Sequence, residues 1–228
     1  ATLTSKQTIL DFFNRAVLAG KIYNVVLFIL VMKREVWNRI ILVGFTIILI
    51  AIEFYSLKVD SHYKWDFVFL LALLLAVYFL RDKIKLHPFH FFLLGVFLVL
   101  HNLGVFETYS KFYFGIEYDF WVHSYFGFVS ALMLYRTYNL VGPYKGWFKY
   151  LAIVAIVLGF SAFHELFEYA GAVLLGEGEG VLFIGAGDID EWDTQKDMRN
   201  NLIGALIAIG VYWVYNKFYP KIKPLHKS

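Results

Sequence analysis

Six apolar runs, each near the length of a membrane crossing, dominate this chain: residues 40–57, 65–80, 88–106, 120–138, 148–175 and 198–215. A bilayer core takes roughly 20 predominantly apolar residues per helix. Lipid offers no partner to an open backbone N–H or C=O, which leaves the helix as the crossing element for runs of this length. With 60% of its 228 residues hydrophobic and 20% aromatic, the chain is too apolar for a soluble domain of this size. The expected fold is therefore all-α: a polytopic transmembrane bundle of six spanning helices in one integral domain.

Residues 37–218 are expected to form that bundle and 219–228 a basic cytoplasmic tail. Residues 1–36 hold a segment that mixes Asp11, Arg15 and Lys21 with Ile9, Phe12, Phe13, Leu18 and Tyr23. This mixture predicts an N-terminal interfacial amphipathic helix, with a seventh span as the alternative. The opening residues lack the basic region and cleavage site of a signal peptide, so the first span is expected to act as its own insertion signal.

Positively charged short loops stay cytoplasmic, and the cations here are strongly partitioned. Lys6, Arg15, Lys21, Lys33, Arg34 and Arg39 precede the first run; Arg81, Lys83 and Lys85 follow the second; Arg136, Lys145 and Lys149 lie around the fourth connection, from the end of the fourth run to the start of the fifth; Lys217, Lys221, Lys223 and Lys227 follow the sixth. The other five, Lys58, Lys64, Lys111, Lys196 and Arg199, sit on the opposite side, in or beside the alternate connections, together with most of the acidic residues. The expected location is the cell membrane, multi-pass, with both termini cytoplasmic. On that topology Glu53, His101, Asp119, His123, His164, Glu165, Glu168 and Asp197 all fall at one depth, just below the outer surface. A charge at membrane depth costs at least about 2.5 kcal/mol on insertion scales, so these groups call for partners, water or an ion.

Their spacing is suggestive. Asp119 and His123 stand four apart, on one helix face about a turn from each other. They suit shared ion binding or a carboxylate orienting an imidazole, against the alternative of an interfacial pair that anchors the helix start. Ser161-Ala-Phe-His-Glu-Leu-Phe-Glu168 presents His164, Glu165 and Glu168 within about one turn. Adjacent buried carboxylates must share a proton or surround a cation, although a satisfied hydrogen-bond network is the structural alternative. The fragment differs from the zinc protease motif His-Glu-x-x-His at its last position. Asp193 and Asp197 repeat the spacing of four at a helix start, where capping explains acidic residues. Asn201 follows on the same helix, and the preceding Gly-rich loop carries Asp188 and Asp190.

Other features read as structure. Gly204 and Ala208 suit close helix packing; His87 and His90 read as interfacial residues at the opposite end; Trp65, Tyr118, Trp121, Trp147 and Trp213 fit aromatic belts.

The order Ser-x-x-His-Glu-x-x-Glu, a Gly-rich loop, then Gly-Asp-x-x-x-x-Asp-Thr-Gln-x-Asp-Met-x-x-Asn-x-x-Gly-Ala resembles the YjdF-like inner-membrane family, as does Asp119-x-x-x-His123. More remotely, Glu168, Asp197, Asn201, Gly204 and Ala205 are similar to a pattern in VanZ-like membrane proteins, which are linked to glycopeptide resistance. The likeness covers residues 118–208. The family's usual Gln-Gly-Asp stands here as Ala186-Gly187-Asp188. The resemblance implies a fold and a site, without a reaction.

The chain has no cysteine, so a metal would be held by His and carboxylates. The expected cofactor is a divalent metal, with zinc, manganese, iron and magnesium all open, bound by Asp119, His123, His164, Glu168 and Asp197. Glu165 and Glu168 are the expected catalytic carboxylates. Glu53, His101, Asp188, Asp193 and Asn201 are expected to support them. Metal-dependent hydrolysis or transfer on lipid headgroups or envelope precursors is the first functional expectation, with membrane lipids as surroundings and no nucleic-acid partner. The competing readings are an ion- or proton-coupled transporter and a noncatalytic membrane subunit.

Overall fold

The computed structural model describes residues 33–61, 66–141, 146–175 and 192–218. The expected interfacial helix, the Gly-rich loop with Asp188 and Asp190, and the basic tail lie outside the described residues. The chain divides into two compact units, Ala1–Ile40 and Ile41–Ser228. Within the first, the described residues carry an exposed Glu35–Arg39 ion pair one helical turn apart.

All six expected runs are helical: α1 (Lys33–Val59), α2 (Asp66–Leu80), α3 (Pro88–Asn102), α4 (Tyr118–Val141), α5 (Phe148–Leu175) and α6 (Asp193–Phe218). Among the described residues, three segments are long and apolar enough to cross a membrane: Lys33–Val59, Pro88–Phe106 and Phe148–Ala170. α2 is apolar but has 15 residues, about 22 Å at 1.5 Å per residue. α4 and α6 reach 24 and 26 residues, but polar groups such as Asp119, His123, Asn200 and Asn201 dilute their apolar character.

Contacts within the second unit give the helices alternating directions. α1 runs parallel to α3, since Phe45 meets Phe92 and Tyr55 stacks on Phe106. α3 runs antiparallel to α4: Tyr118 Oη donates to the Leu100 carbonyl at one end, and Thr137 Oγ1 donates to the Ile84 carbonyl at the other. α5 is antiparallel to α6, with Glu165 beside Thr194 and Ser161 beside Asn201. α4 and α6 are parallel, from Asp119 and Asp197 at one end to stacked Tyr135 and Tyr212 at the other. α4 contributes to both apolar cores, one with Phe45, Leu70 and Leu98, the other with Ile153, Val157 and Ala208.

Three details depart from the sequence expectations. A small antiparallel ribbon, β1 (Phe112–Tyr113) with β2 (Ile116–Glu117), precedes α4. Its two-residue turn, Phe114 at φ 56° and Gly115 at φ 76°, has the positive φ values that match strand twist in tight hairpins. Tyr118, read as a belt residue, is buried because its hydroxyl satisfies the Leu100 carbonyl. His90, read as interfacial, is also buried, with Nε2 3.3 Å from Tyr212 Oη; its neighbour His87 caps α3 by accepting the Phe89 N–H.

α4 and α6 touch backbone to backbone. A Cβ on Gly127 would strike the Asn201 carbonyl, and one on Gly204 would strike the Ser124 carbonyl and Phe128 N. The small-residue reading of Gly204 and Ala208 thus gains a partner stripe on α4. Gly204→Val and Gly127→Val should each destabilise the protein by about 1–3 kcal/mol through overpacking. Gly159→Ala, on an open helix surface, should stabilise by about 0.5–1 kcal/mol. Thermal melts in detergent report both signs.

Candidate functional site

The paired α4 and α6 stripes carry polar residues at one end, a turn from the glycine contact. On α4, Asp119, His123 and Gly127 recur every four residues; on α6, Asp197 and Asn201 precede Gly204. Residues at this spacing share a helix face, so the contact that seats the glycines also sets the polar groups against each other. His123 Nε2 lies 3.2 Å from Asp119 Oδ1 and 3.0 Å from Asp197 Oδ2. An oxygen of each carboxyl group lies within 4.8 Å of the other. Two ionised carboxylates at such range repel, so a proton or a cation must lie between them.

The other face of the imidazole is also held. Asn201 Nδ2 is 3.3 Å from His123 Nδ1 and donates to Ser161 Oγ at 2.7 Å. In this arrangement Nδ1 accepts, and Nε2–H points at the two carboxylates. A half-turn of the Asn201 amide would instead let Oδ1 accept from Nδ1–H and free Nε2 as a ligand atom.

α5 supplies a second layer. His164 Nε2 and Glu168 Oε1 form a pair at 3.2 Å. The His164 ring lies 6.1 Å from that of His123 and 5.9 Å from that of His101. His101 in turn has Nδ1 3.4 Å from Tyr109 Oη. Glu165 Oε2 accepts from Thr194 Oγ1 at 2.8 Å.

Seven of the eight costly ionisable groups are therefore joined at one end of the helices. The eighth, Glu53 on α1, buries Oε2 without a hydrogen-bond partner among the described residues. Asp119, His123 and Asp197 form one group whose possible ligand atoms all lie within 4.8 Å of one another, and Glu165, Asp193 and Asp197 form another. His164 and Glu168 stand beside these groups as a pair of their own. Asp197 is deeply buried, while Asp119 retains 27% side-chain exposure, so the site opens on the Asp119 side.

Sequence reasoning passed over Asp66, Thr194 and Ser161. Asp66 begins α2, is fully buried and lies within electrostatic reach of His164. Its position at the edge of an apolar run was the available signal. Thr194 and Ser161 were visible only as motif letters, because hydroxyls carry no burial cost large enough to mark them.

Long apolar helices around such a buried polar cluster define an α-helical integral membrane protein. The chain belongs to the family described as predicted membrane protein (DUF2238), whose model matches residues 16–218. It is 30% identical over 155 residues to the inner membrane protein YjdF of Escherichia coli (strain K12), covering 62% of this chain and 71% of that protein. No solved structure matches. The remoter VanZ-like resemblance rests on the sequence pattern alone.

The Asn201 amide serves two buried partners at once. Asn201→Leu should lower stability by about 1–3 kcal/mol, since Ser161 Oγ and His123 Nδ1 lose their shared partner. Imidazole ¹⁵N shifts should also report a changed His123 tautomer.

Proposed function

We propose that this protein binds a divalent cation through Asp119, His123 and Asp197 and uses it for hydrolysis or group transfer on lipid headgroups or envelope precursors. The reading rests on one observation: two carboxylates and an imidazole nitrogen converge in a partly buried site, and Asp197 Oδ1 has no hydrogen-bond partner among the described residues. A bound cation would neutralise the carboxylates, polarise a substrate oxygen and lower the pKa of a bound water. Asn201 and Ser161 would orient His123 from behind, as groups behind a metal-bound imidazole commonly do. Glu165 and Glu168 are the carboxylates positioned to accept a proton, with His164 steering Glu168 and His101 behind it. Mixed imidazole and carboxylate donors suit zinc, manganese or iron.

The same proposal includes six spans, both termini in the cytoplasm and the site at the outer face. The alternation of helix directions supports it, as does the Lys and Arg partition. Because the chain has no cysteine, single cysteines can be introduced at Asp82 and Lys111 without background. An impermeant maleimide added to intact cells should label position 111 and spare position 82; the reverse pattern rejects the orientation.

Metal analysis of the detergent-purified chain tests the chemistry. Wild type should retain a divalent metal, His123→Ala should lose it, and Asn201→Leu should bind about 10–100-fold more weakly. A metal-free wild type that takes up no added zinc or manganese, or a His123→Ala variant with undiminished affinity, rejects the reading.

A further inference from the structure

The groups Asp119, His123, Asp197 and Glu165, Asp193, Asp197 share one residue, Asp197. Its two oxygens are differently placed. Oδ2 faces His123 Nε2, whereas Oδ1 is buried without a hydrogen-bond partner among the described residues. Glu165 shows the same division: Oε2 accepts from Thr194, and Oε1 is buried without a partner. Both residues are more than nine-tenths buried, at 4% and 9% exposure.

We propose that the site holds two divalent cations, with Asp197 as the carboxylate that bridges them. This rests on the single-cation reading above and extends it, turning Glu165 from proton acceptor into ligand and leaving Glu168 as the base. A proton shared between Asp119 and Asp197 would relieve that pair but would leave Glu165 Oε1 unmet. Lys and Arg do not relieve it either: among the described residues, the basic group within 4.0 Å of Asp119 or Asp197 is the His123 imidazole, and Glu165 has none. A second cation answers both oxygens at once.

The two donor sets differ in chemistry. The first mixes imidazole with carboxylates, and the second is all oxygen, which suits hard ions such as magnesium or manganese. Manganese is accepted by both. A carboxylate-bridged pair of ions about 3.5–4 Å apart clamps two oxygens of a substrate in line. Such a pair suits in-line displacement at phosphorus, and the substrate class proposed is a phosphate ester of a lipid-linked molecule, entering from the Asp119 side.

The test uses the full chain in detergent, stripped of metal and titrated with Mn²⁺, with free ion counted by electron paramagnetic resonance. Wild type should bind two ions per chain and give a spin-coupled signal. Glu165→Gln should bind one ion with an uncoupled signal. Thr194→Val retains every ligand and should weaken the second ion about tenfold while sparing the first; it carries the test if Glu165→Gln does not fold. One ion in wild type, unchanged in Thr194→Val, overturns the second site and leaves the single-cation reading standing. Two ions unaffected by both variants overturn the assignment to Glu165, and no bound ion overturns both readings.

Discussion

The close approach of α4 and α6 is the constraint on which the site depends. Where Gly127 and Gly204 meet the facing backbones, no side chain separates the helices. One turn from that contact, His123 and Asn201 are brought into reach of each other, and a further turn along, Asp119 meets Asp197. Larger residues at the glycines would push the helices apart and separate His123 from both Asp197 and Asn201 together. In lipid this matters more than in water, because helix association there draws on van der Waals contact and interhelical hydrogen bonds instead of on the expulsion of water.

The parallel course of α4 and α6 also divides the bundle chemically. Acidic groups and imidazoles gather at one end, whereas the other is closed by stacked Tyr135 and Tyr212, with Lys149 over the Tyr135 ring and Asn216 donating to the Tyr135 hydroxyl. There Tyr212 Oη meets His90 Nε2, while His90 Nδ1 is buried without a hydrogen-bond partner among the described residues. At the acidic end Glu165 and Asp197 each keep a buried carboxylate oxygen without a hydrogen-bond partner among the described residues. Buried polar groups are ordinarily hydrogen-bonded, and an exception of this kind points to a ligand or water.

Much of this organisation was legible in the chain. Apolar runs marked the six helices to within a few residues at most ends, since length and hydropathy report membrane-scale helices directly. α1 was the main exception: the described residues are already helical at Lys33, ahead of the apolar run, because a helix continues through polar flanking residues as readily as through apolar ones. The gathering of His101, Asp119, His123, His164 and Asp197 also followed from alternation alone, since consecutive antiparallel helices return each polar end to the same level. Asp66 escaped notice because one carboxylate at a helix start is explained by capping, and only folding shows it buried. The β1–β2 hairpin escaped because a four-residue ribbon is too short to leave a periodic pattern.

The sequence by itself determined a helical membrane protein with its ionisable residues at one end, because the cost of burying charge and open backbone in lipid acts on composition and order. Tertiary structure alone decided which of those residues meet. Spacing within a helix predicts neighbours on its own face, and so paired Asp119 with His123 and His164 with Glu168. It is silent about rotation and register between helices. Those were set by glycine contacts between α4 and α6 and by the Asn201–Ser161 bond to α5, and they placed Asp197 in two groups of His or carboxylate residues at once.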